Sequence, residues 1–370
     1  MNFFNLAFAT MSALLTTISM FMPVGRVTPP QLVDVPMGIT YSKFQNLAEY
    51  ESELNTLANS PLVNVKVAGY SYTNNLPIYL IEIGNKNKPT IFMDAALHAL
   101  NEWQTVHILL KFAHDLVTDG TPQDSFDEYI LDNYCVVLIP MANPWGYFES
   151  ANGMHHNGHV SAVPDIENLT WHDYTNYAEY KGVNLNRNFD AGWEEFQNLP
   201  WSVQSYWNGT DYGTANYFMM PNPPILAPDY GSYDSKGVAP FSEPETQVIK
   251  NVFSEYDVIM YFDWHCMNAW QSNASAHIPA ANTVNITNLI NAATTRVNNR
   301  NQSQDKLQQA VVITPEEYNA PTALRWSTTK TKAFGFGYET GRLNLPDELW
   351  TDMYLELMYR GIEYISYQTF

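Results

Sequence analysis

Four runs of this chain are largely apolar from end to end: Pro89–Ala96, Tyr134–Met141, Val258–Trp264 and Ala333–Glu339. A strand with one wet face alternates apolar with polar residues, whereas a continuous apolar run suits a strand covered on both faces. Helical patterns fall between and around these runs, over Asn101–Leu116, from Ser242 to about Tyr256, over Thr283–Asn299 and over Asp347–Tyr364. Buried strands interleaved with helices predict an α/β domain, with a mixed, mostly parallel central sheet flanked by helices. Earlier in the chain, Lys43–Ala58 carries helical spacing in Phe44, Leu47, Tyr50, Leu54 and Leu57. Val63–Tyr72 and Pro77–Ile83 alternate as strands around Ser71–Asn75, which predicts a hairpin. Ser242-Glu243-Pro244-Glu245 reads as a capping box, with Ser242 as N-cap and Glu245 reaching back. Residues 150–240, rich in Asn, Gly, Tyr, Trp and Pro, read as long loops over one face. Sites in such sheets lie at the carboxyl ends of strands.

The 370 residues can bury a large core, and 45% hydrophobic against 15% charged residues describes a folded chain. A net charge of −20 excludes nucleic acid as partner, because phosphate contacts need a surplus of Lys and Arg. Cys135 and Cys266 both sit in apolar runs and read as buried free thiols rather than a disulfide framework. Residues 1–25 are apolar and carry no basic residue before Arg26, unlike a secretory signal, which opens with one. Asn5, Ser12 and Ser19 recur every seven residues with Thr16 on the same side, leaving an apolar face as a docking or bundling helix does. That helix would serve an oligomer or assembly partner. A signal-like segment and a membrane anchor are the alternatives, the anchor being disfavoured by the polar residues. Residues 26–40 form a Pro-rich linker, and the globular pattern occupies 41–370.

His98 follows the run Pro89–Ala96, Glu102 opens the next helix four residues later, and His265 follows Val258–Trp264. Two imidazoles and one carboxylate with a fourth position open is the donor set of hydrolytic zinc sites. Each also has a plain structural role: a strand-end histidine, and a glutamate favouring a helix N-terminus. His155, His156 and His159 cluster more densely, but in a loop rich in Gly and Asn, and they read as solvated.

The run Gly182-Val-Asn-Leu-Asn-Arg-Asn-Phe-Asp-Ala-Gly-Trp193 resembles the zinc carboxypeptidase family. Other segments resemble it in the same order: Tyr41–Gly69, Ser71–Gly84, Asp94–Trp103, Asn143-Pro-Trp-Gly-Tyr147, Ser242–Thr246, Tyr318–Trp326 and Phe334–Glu339, so that the likeness spans residues 41–368. The resemblance implies one zinc per chain on His98, Glu102 and His265, with Glu339, thirteen residues after Trp326, as the general base. It implies that Asn186 and Arg187 grip a substrate's terminal carboxylate, a task suited to a guanidinium fork. Tyr318 matches the tyrosine that closes over substrate. Leu324 and Arg325, just before Trp326, match the base of the side-chain pocket. Leu324 inward would favour apolar termini, and Arg325 inward, the favoured reading, acidic ones.

Two departures stand out. The family's first metal motif is His-x-x-Glu, whereas this chain has His98-Ala-Leu-Asn-Glu102, with Asn101 at the strict ligand position. Because an amide is a poor replacement for a carboxylate at zinc, Glu102 is expected to reach the metal through a bulge at the helix start. The arginine that the family places after a tryptophan is here His172, which would stabilise the oxyanion, Lys181 being the lesser substitute. The implied function is zinc-dependent hydrolysis of a peptide or amide bond near a free carboxylate, on peptide C-termini or bacterial cell-wall peptides, in an extracellular or virion- or surface-associated setting. The alternative is a catalytically weakened binding or structural module of a phage tail or surface assembly.

Overall fold

The computed structural model describes residues 29–30, 32, 41–120, 124–149, 157–159, 183–194, 236–266, 275–277, 283–300, 306–307, 309–313, 320–340 and 347–367. The expected N-terminal helix, nearly all of the linker and most of the 150–240 loops lie outside them. Among the described residues there are eight strands: β1 (Val63–Tyr70), β2 (Pro77–Ile83), β3 (Thr90–Ala95), β4 (Cys135–Ile139), β5 (Val258–Cys266), β6 (Ser275–His277), β7 (Val311–Ile313) and β8 (Phe334–Thr340). They form one mixed sheet in the order β1-β2-β4-β3-β5-β8-β6-β7. Parallel pairing runs through its centre, from β4 across β3 and β5 to β8. Antiparallel pairs join β1 to β2, β2 to β4 and β6 to β8. The carboxyl ends of β3, β5 and β8 therefore lie side by side.

The apolar runs became strands buried along their whole length in β3, β4 and β5. Helices cover both faces. On one side lie α1 (Leu47–Leu57), α2 (Trp103–Leu116), α3 (Asp124–Asn133), and later α6 (Thr283–Arg300) and α8 (Asp347–Ser366), packed on Met260, Phe262, Trp264, Phe336 and Tyr338. On the other side α5 (Pro244–Glu255) and α7 (Ala323–Lys330) meet Phe92 and Tyr261. A short helix, α4 (Pro144–Phe148), follows β4. Side chains alternate along a strand, so Asp263 and His265 share the face of Tyr261, towards α7. Gly335 lets β8 approach closely: a Cβ there would lie 1.7 Å from the Tyr261 carbonyl oxygen. Cys135 and Cys266 are buried free thiols. Among the described residues no helix is long and apolar enough to cross a membrane.

The capping box does not form as expected. Helix α5 begins at Pro244 with Glu243 as N-cap, because a proline suits the first helical position, where its missing N–H would have no partner. The Ser242 hydroxyl donates to Glu243 Oε1 at 2.7 Å and accepts from Asn188 Nδ2 at 3.0 Å. Glu245, instead of reaching back, turns inward and accepts from the Tyr72 N–H and from Asn157 Nδ2, both at 2.9 Å. His159 is also not solvated: it pairs with the buried Glu243 and stacks on Tyr72, with ring centroids 3.6 Å apart. His155 and His156 lie outside the described residues.

Burial, outweighing the donors from Asn157 and Tyr72, pushes the Glu245 carboxyl up from 4.5 to about 7. A folded-state value above the unfolded one means that the folded protein holds this proton more tightly. The stability it contributes is therefore present below the unfolded value and is lost as pH rises through the folded one. Glu245→Gln removes the titration. Its stability relative to the parent should rise by about 2–3 kcal/mol between about pH 5 and pH 8, measured by denaturant unfolding. A difference that does not change with pH would contradict this assignment.

Candidate metal centre

The first segment of the centre is a strained turn. Leaving β3, the chain passes through Ala96 at φ 54° and Ala99 at φ 64°, left-handed values that cost a non-glycine residue roughly 1–2 kcal/mol each. Neighbouring structure holds them in place. The Ala142 N–H donates to the Ala95 carbonyl at 3.0 Å. At the Asn143-Pro-Trp-Gly-Tyr turn, a Cβ on Gly146 would lie 2.5 Å from that of Ala99, so only glycine fits beside the alanine. Ala99–Glu102 then form a single 3-10 turn before α2 starts at Trp103. The tighter winding absorbs the extra residue of the motif.

That winding brings Glu102 onto His98. The His98 backbone N–H donates to Glu102 Oε2 at 2.9 Å, and His98 Nδ1 lies 2.9 Å from Oε1. The same Oε1 is 2.8 Å from Nδ1 of His265, at the end of β5. The two imidazole rings are 4.8 Å apart, centroid to centroid. Asn101 is half-buried on the same turn. Among the described residues, His98, Glu102 and His265 offer donor atoms that all lie within 4.8 Å of one another.

Burial alone would raise the Glu102 carboxyl, but the facing imidazoles of His98 and His265 hold it well below the usual carboxylate range. For His265, burial lowers the imidazole, and Asp263 and Glu102 outweigh burial and raise it. Behind them, burial and the neighbouring Asp263 raise Asp94, whose Oδ1 accepts from the Tyr261 hydroxyl at 2.9 Å. Two imidazole nitrogens and one carboxylate oxygen, convergent and nearly dry, are the donor number, type and closeness that a zinc ion needs. The residues fit the ion.

Glu339 stands beside this group without belonging to it. It pairs in register with His265 across the parallel β5–β8 contact, so both side chains project from the same face, and it is half-buried. Asn186 and Arg187 come from a 3-10 turn, Leu185–Arg187, capped by Asn184, whose side chain accepts the Asn186 N–H at 3.0 Å. Asn186 Oδ1 accepts the Ala323 N–H at 2.9 Å, and its Nδ2 lies 3.2 Å from His265 Nε2. Arg187 is buried and donates to the Asn186 carbonyl at 2.9 Å. Leu324 is buried against Gly337, where a Cβ would lie 3.5 Å from Leu324 Cδ2. Arg325 donates from Nη1 to the Ala191 carbonyl at 2.8 Å. His172, Lys181 and Tyr318 lie outside the described residues.

Two site neighbours escaped the sequence reading. Asp263 lies two residues before His265, and strand alternation alone would have placed it on the same face. Asn188, directly after Arg187, is fully buried and holds the turn: its Oδ1 accepts from Thr246 Oγ1 and the Glu243 N–H, and its Nδ2 donates to Lys236 and Ala239 carbonyls.

An α/β sheet with two histidines, a glutamate and a neighbouring acid at the carboxyl ends of adjacent parallel strands belongs to the class of domains with a zinc-type centre. The family profile described as zinc carboxypeptidase matches residues 50–348, and the chain belongs to that family. It is 28% identical over 162 residues to carboxypeptidase B of Bos taurus, covering 42% of this chain and 35% of the bovine protein. It is 22% identical over 254 residues to carboxypeptidase B of Helicoverpa zea, covering 66% of this chain and 45% of that protein. The chain thus spans less than half the length of these curated relatives. The crystal structure of carboxypeptidase A from Helicoverpa armigera superposes with a TM-score of 0.58 at 18% identity, over 86% of this chain and 72% of that one, a likeness of fold.

Proposed function

We propose that this protein is a zinc-dependent peptidase that hydrolyses the bond next to a free carboxylate, with one zinc on His98, Glu102 and His265. The observation that carries the reading is the convergence of those three donors with Glu339 one strand away, at the ends of β3, β5 and β8. When bound, the zinc supplies Lewis acidity towards the scissile carbonyl and the attacking water. Glu339 takes a proton from that water and delivers it to the leaving amine. Arg187 receives the terminal carboxylate, helped by the remaining amide N–H of Asn186, whose other groups already have partners. His172 as oxyanion donor and Tyr318 as the closing residue rest on the sequence resemblance.

The surroundings of Glu339 support an apolar side-chain pocket. Gly337, two residues before it on the same face of β8, has no side chain, and Leu324 lies against it. Arg325 is engaged by the loop carbonyl of Ala191, where it anchors the segment after Arg187. Peptide C-termini and cell-wall peptides both carry the carboxylate, so the terminal residue discriminates between them. Peptides ending in Phe should be cleaved with kcat/KM at least about tenfold above those ending in Glu or Lys, with the order unchanged in Arg325→Ala. Cleavage should stop on chelation and return with zinc. A preference for Glu that vanishes in Arg325→Ala would replace the apolar pocket by an acid-selecting one. Zinc-loaded protein that releases no terminal residue from any of the three would sink the peptidase reading.

A further inference from the structure

Val183 stands just before the turn that carries Asn186 and Arg187, and both of its backbone groups meet Asn157. The Asn157 N–H donates to the Val183 carbonyl at 3.2 Å, and the Val183 N–H donates to Asn157 Oδ1 at 3.3 Å. The same Oδ1 accepts the His159 N–H at 3.0 Å. On its other side the amide reaches two buried carboxyl groups, Glu243 Oε2 at 2.8 Å and Glu245 Oε2 at 2.9 Å. A side-chain amide offers two donor hydrogens and two acceptor lone pairs. All four are engaged here, and Asn157 is fully buried. Next to it, Gly158 runs at φ 72° between Thr73 Oγ1 and the Trp145 indole, each 2.8 Å from where a Cβ would sit. Asn157 thus lies where the hairpin turn, α4 and the start of α5 come together.

The other end of the turn is tied to the same helix start. Asn188 Oδ1 accepts the Glu243 N–H at 3.2 Å and the Thr246 hydroxyl at 2.7 Å. Glu243, fully buried, therefore holds both flanks of residues 184–187, its carboxylate through Asn157 and its N–H through Asn188. We infer that Asn157 is a positioning residue for a substrate's terminal carboxylate: it fixes the entry to the Leu185–Arg187 turn on the start of α5, and so sets where the Arg187 guanidinium stands. The inference rests on Arg187 being the carboxylate grip, as proposed above. Charge explains why an amide occupies this place. Two buried carboxyl groups side by side disfavour a second negative charge, and a neutral residue that donates to both satisfies them without adding one. Alanine there would take a donor from each carboxyl group and the acceptor from the Val183 N–H, and buried polar groups left short of partners are costly.

The test is the dissociation constant of N-acetyl-phenylalanine and of its amide, by calorimetry on protein supplied with zinc, for the parent chain, Asn157→Ala, Arg187→Ala and the double variant. Thermal melting of each is the check on folding. The two probes differ only in the terminal carboxylate, so their ratio reads the grip, whereas a general loosening weakens both. The parent should bind the acid about 10–100-fold more tightly than the amide, as a charge-assisted contact implies. In Asn157→Ala that preference should fall to about threefold or less, because a group an ångström out of place loses most of its effect, while the amide binds as it does to the parent. The double variant should match Arg187→Ala, since two residues acting through one contact do not add. A parent-like preference in Asn157→Ala, or equal weakening of acid and amide, would overturn the inference and leave the grip standing. A parent that does not distinguish the probes, or an unchanged preference in Arg187→Ala, would overturn the grip and the inference with it. If Asn157→Ala does not fold, Asn157→Asp decides: it keeps an acceptor for the backbone N–H groups and loses the donors to Glu243 and Glu245, and a preference retained there overturns the inference.

Discussion

Glu339→Gln should leave zinc uptake unchanged and lower kcat by about 10²–10⁴-fold, the usual worth of a positioned general base. The substitution keeps the shape of the side chain and its place beside His265 in the β5–β8 register. It removes only the ability to accept a proton. Because Glu339 is outside the donor group of His98, Glu102 and His265, metal content is not expected to follow activity. The kinetic form matters as much as the size: an interaction made only in the transition state lowers kcat and kcat/KM together and leaves KM nearly where it was. A rise in KM with constant kcat would make Glu339 a substrate-binding group instead. Retained kcat would mean that another base operates, and loss of zinc would move Glu339 into the metal's own shell.

The parts of this site that the sequence revealed are those with a short-range signature. Continuous apolar runs marked β3 and β5 as doubly covered strands and Ala333–Glu339 as a further strand, and the polar residues that end or follow them, His98, His265 and Glu339, lie at one edge once the strands run parallel. The apolar character of α2 was similarly visible, although its first turn is 3-10 and the helix proper starts at Trp103 rather than Asn101. Small elements left less trace: α3, α4, α7, β6 and β7 are short, and β6 and β7 have three residues each. Propensity summed over so few positions decides little.

What stayed hidden depends on residues distant in sequence. Asp263 reads within its run as a polar interruption of a buried strand, and the Asn186 amide that meets His265 Nε2 comes from 79 residues away. Ala96 and Ala99 adopt left-handed backbone that alanine does not advertise, since turn signals come from Gly, Asn and Asp. Their conformation is imposed from outside, by Gly146 and the strand end. His159 read as solvated because its loop is polar, yet its partner Glu243 comes from 84 residues further on. In each case local composition favoured one reading and tertiary packing imposed another.

The spacing of the first metal motif gives the second large effect. Glu102→Gln should weaken zinc by more than the roughly 10–100-fold that loss of an outer-shell partner costs, and Asn101→Ala should leave affinity within a few-fold of the parent. Glu102 Oε1 serves both imidazoles, at 2.9 and 2.8 Å, and its side chain is almost fully enclosed. Glutamine there would bring neutral donor hydrogens or a weaker oxygen against two nitrogens that must present lone pairs to the metal, and would lose the negative charge that offsets the cation. Asn101 lies on the same turn and offers only a neutral amide, a poorer zinc ligand than a carboxylate, so removing it should take little from the metal. Paired metal analysis and chelator competition on the two variants distinguish the alternatives directly. The reverse pattern, zinc kept in Glu102→Gln and lost in Asn101→Ala, would mean that the metal-bound chain rewinds Ala99–Glu102 by one residue to the strict His-x-x-ligand spacing. Zinc lost with Glu102 and kept without Asn101 means instead that the 3-10 turn is the device by which a longer motif still delivers its carboxylate.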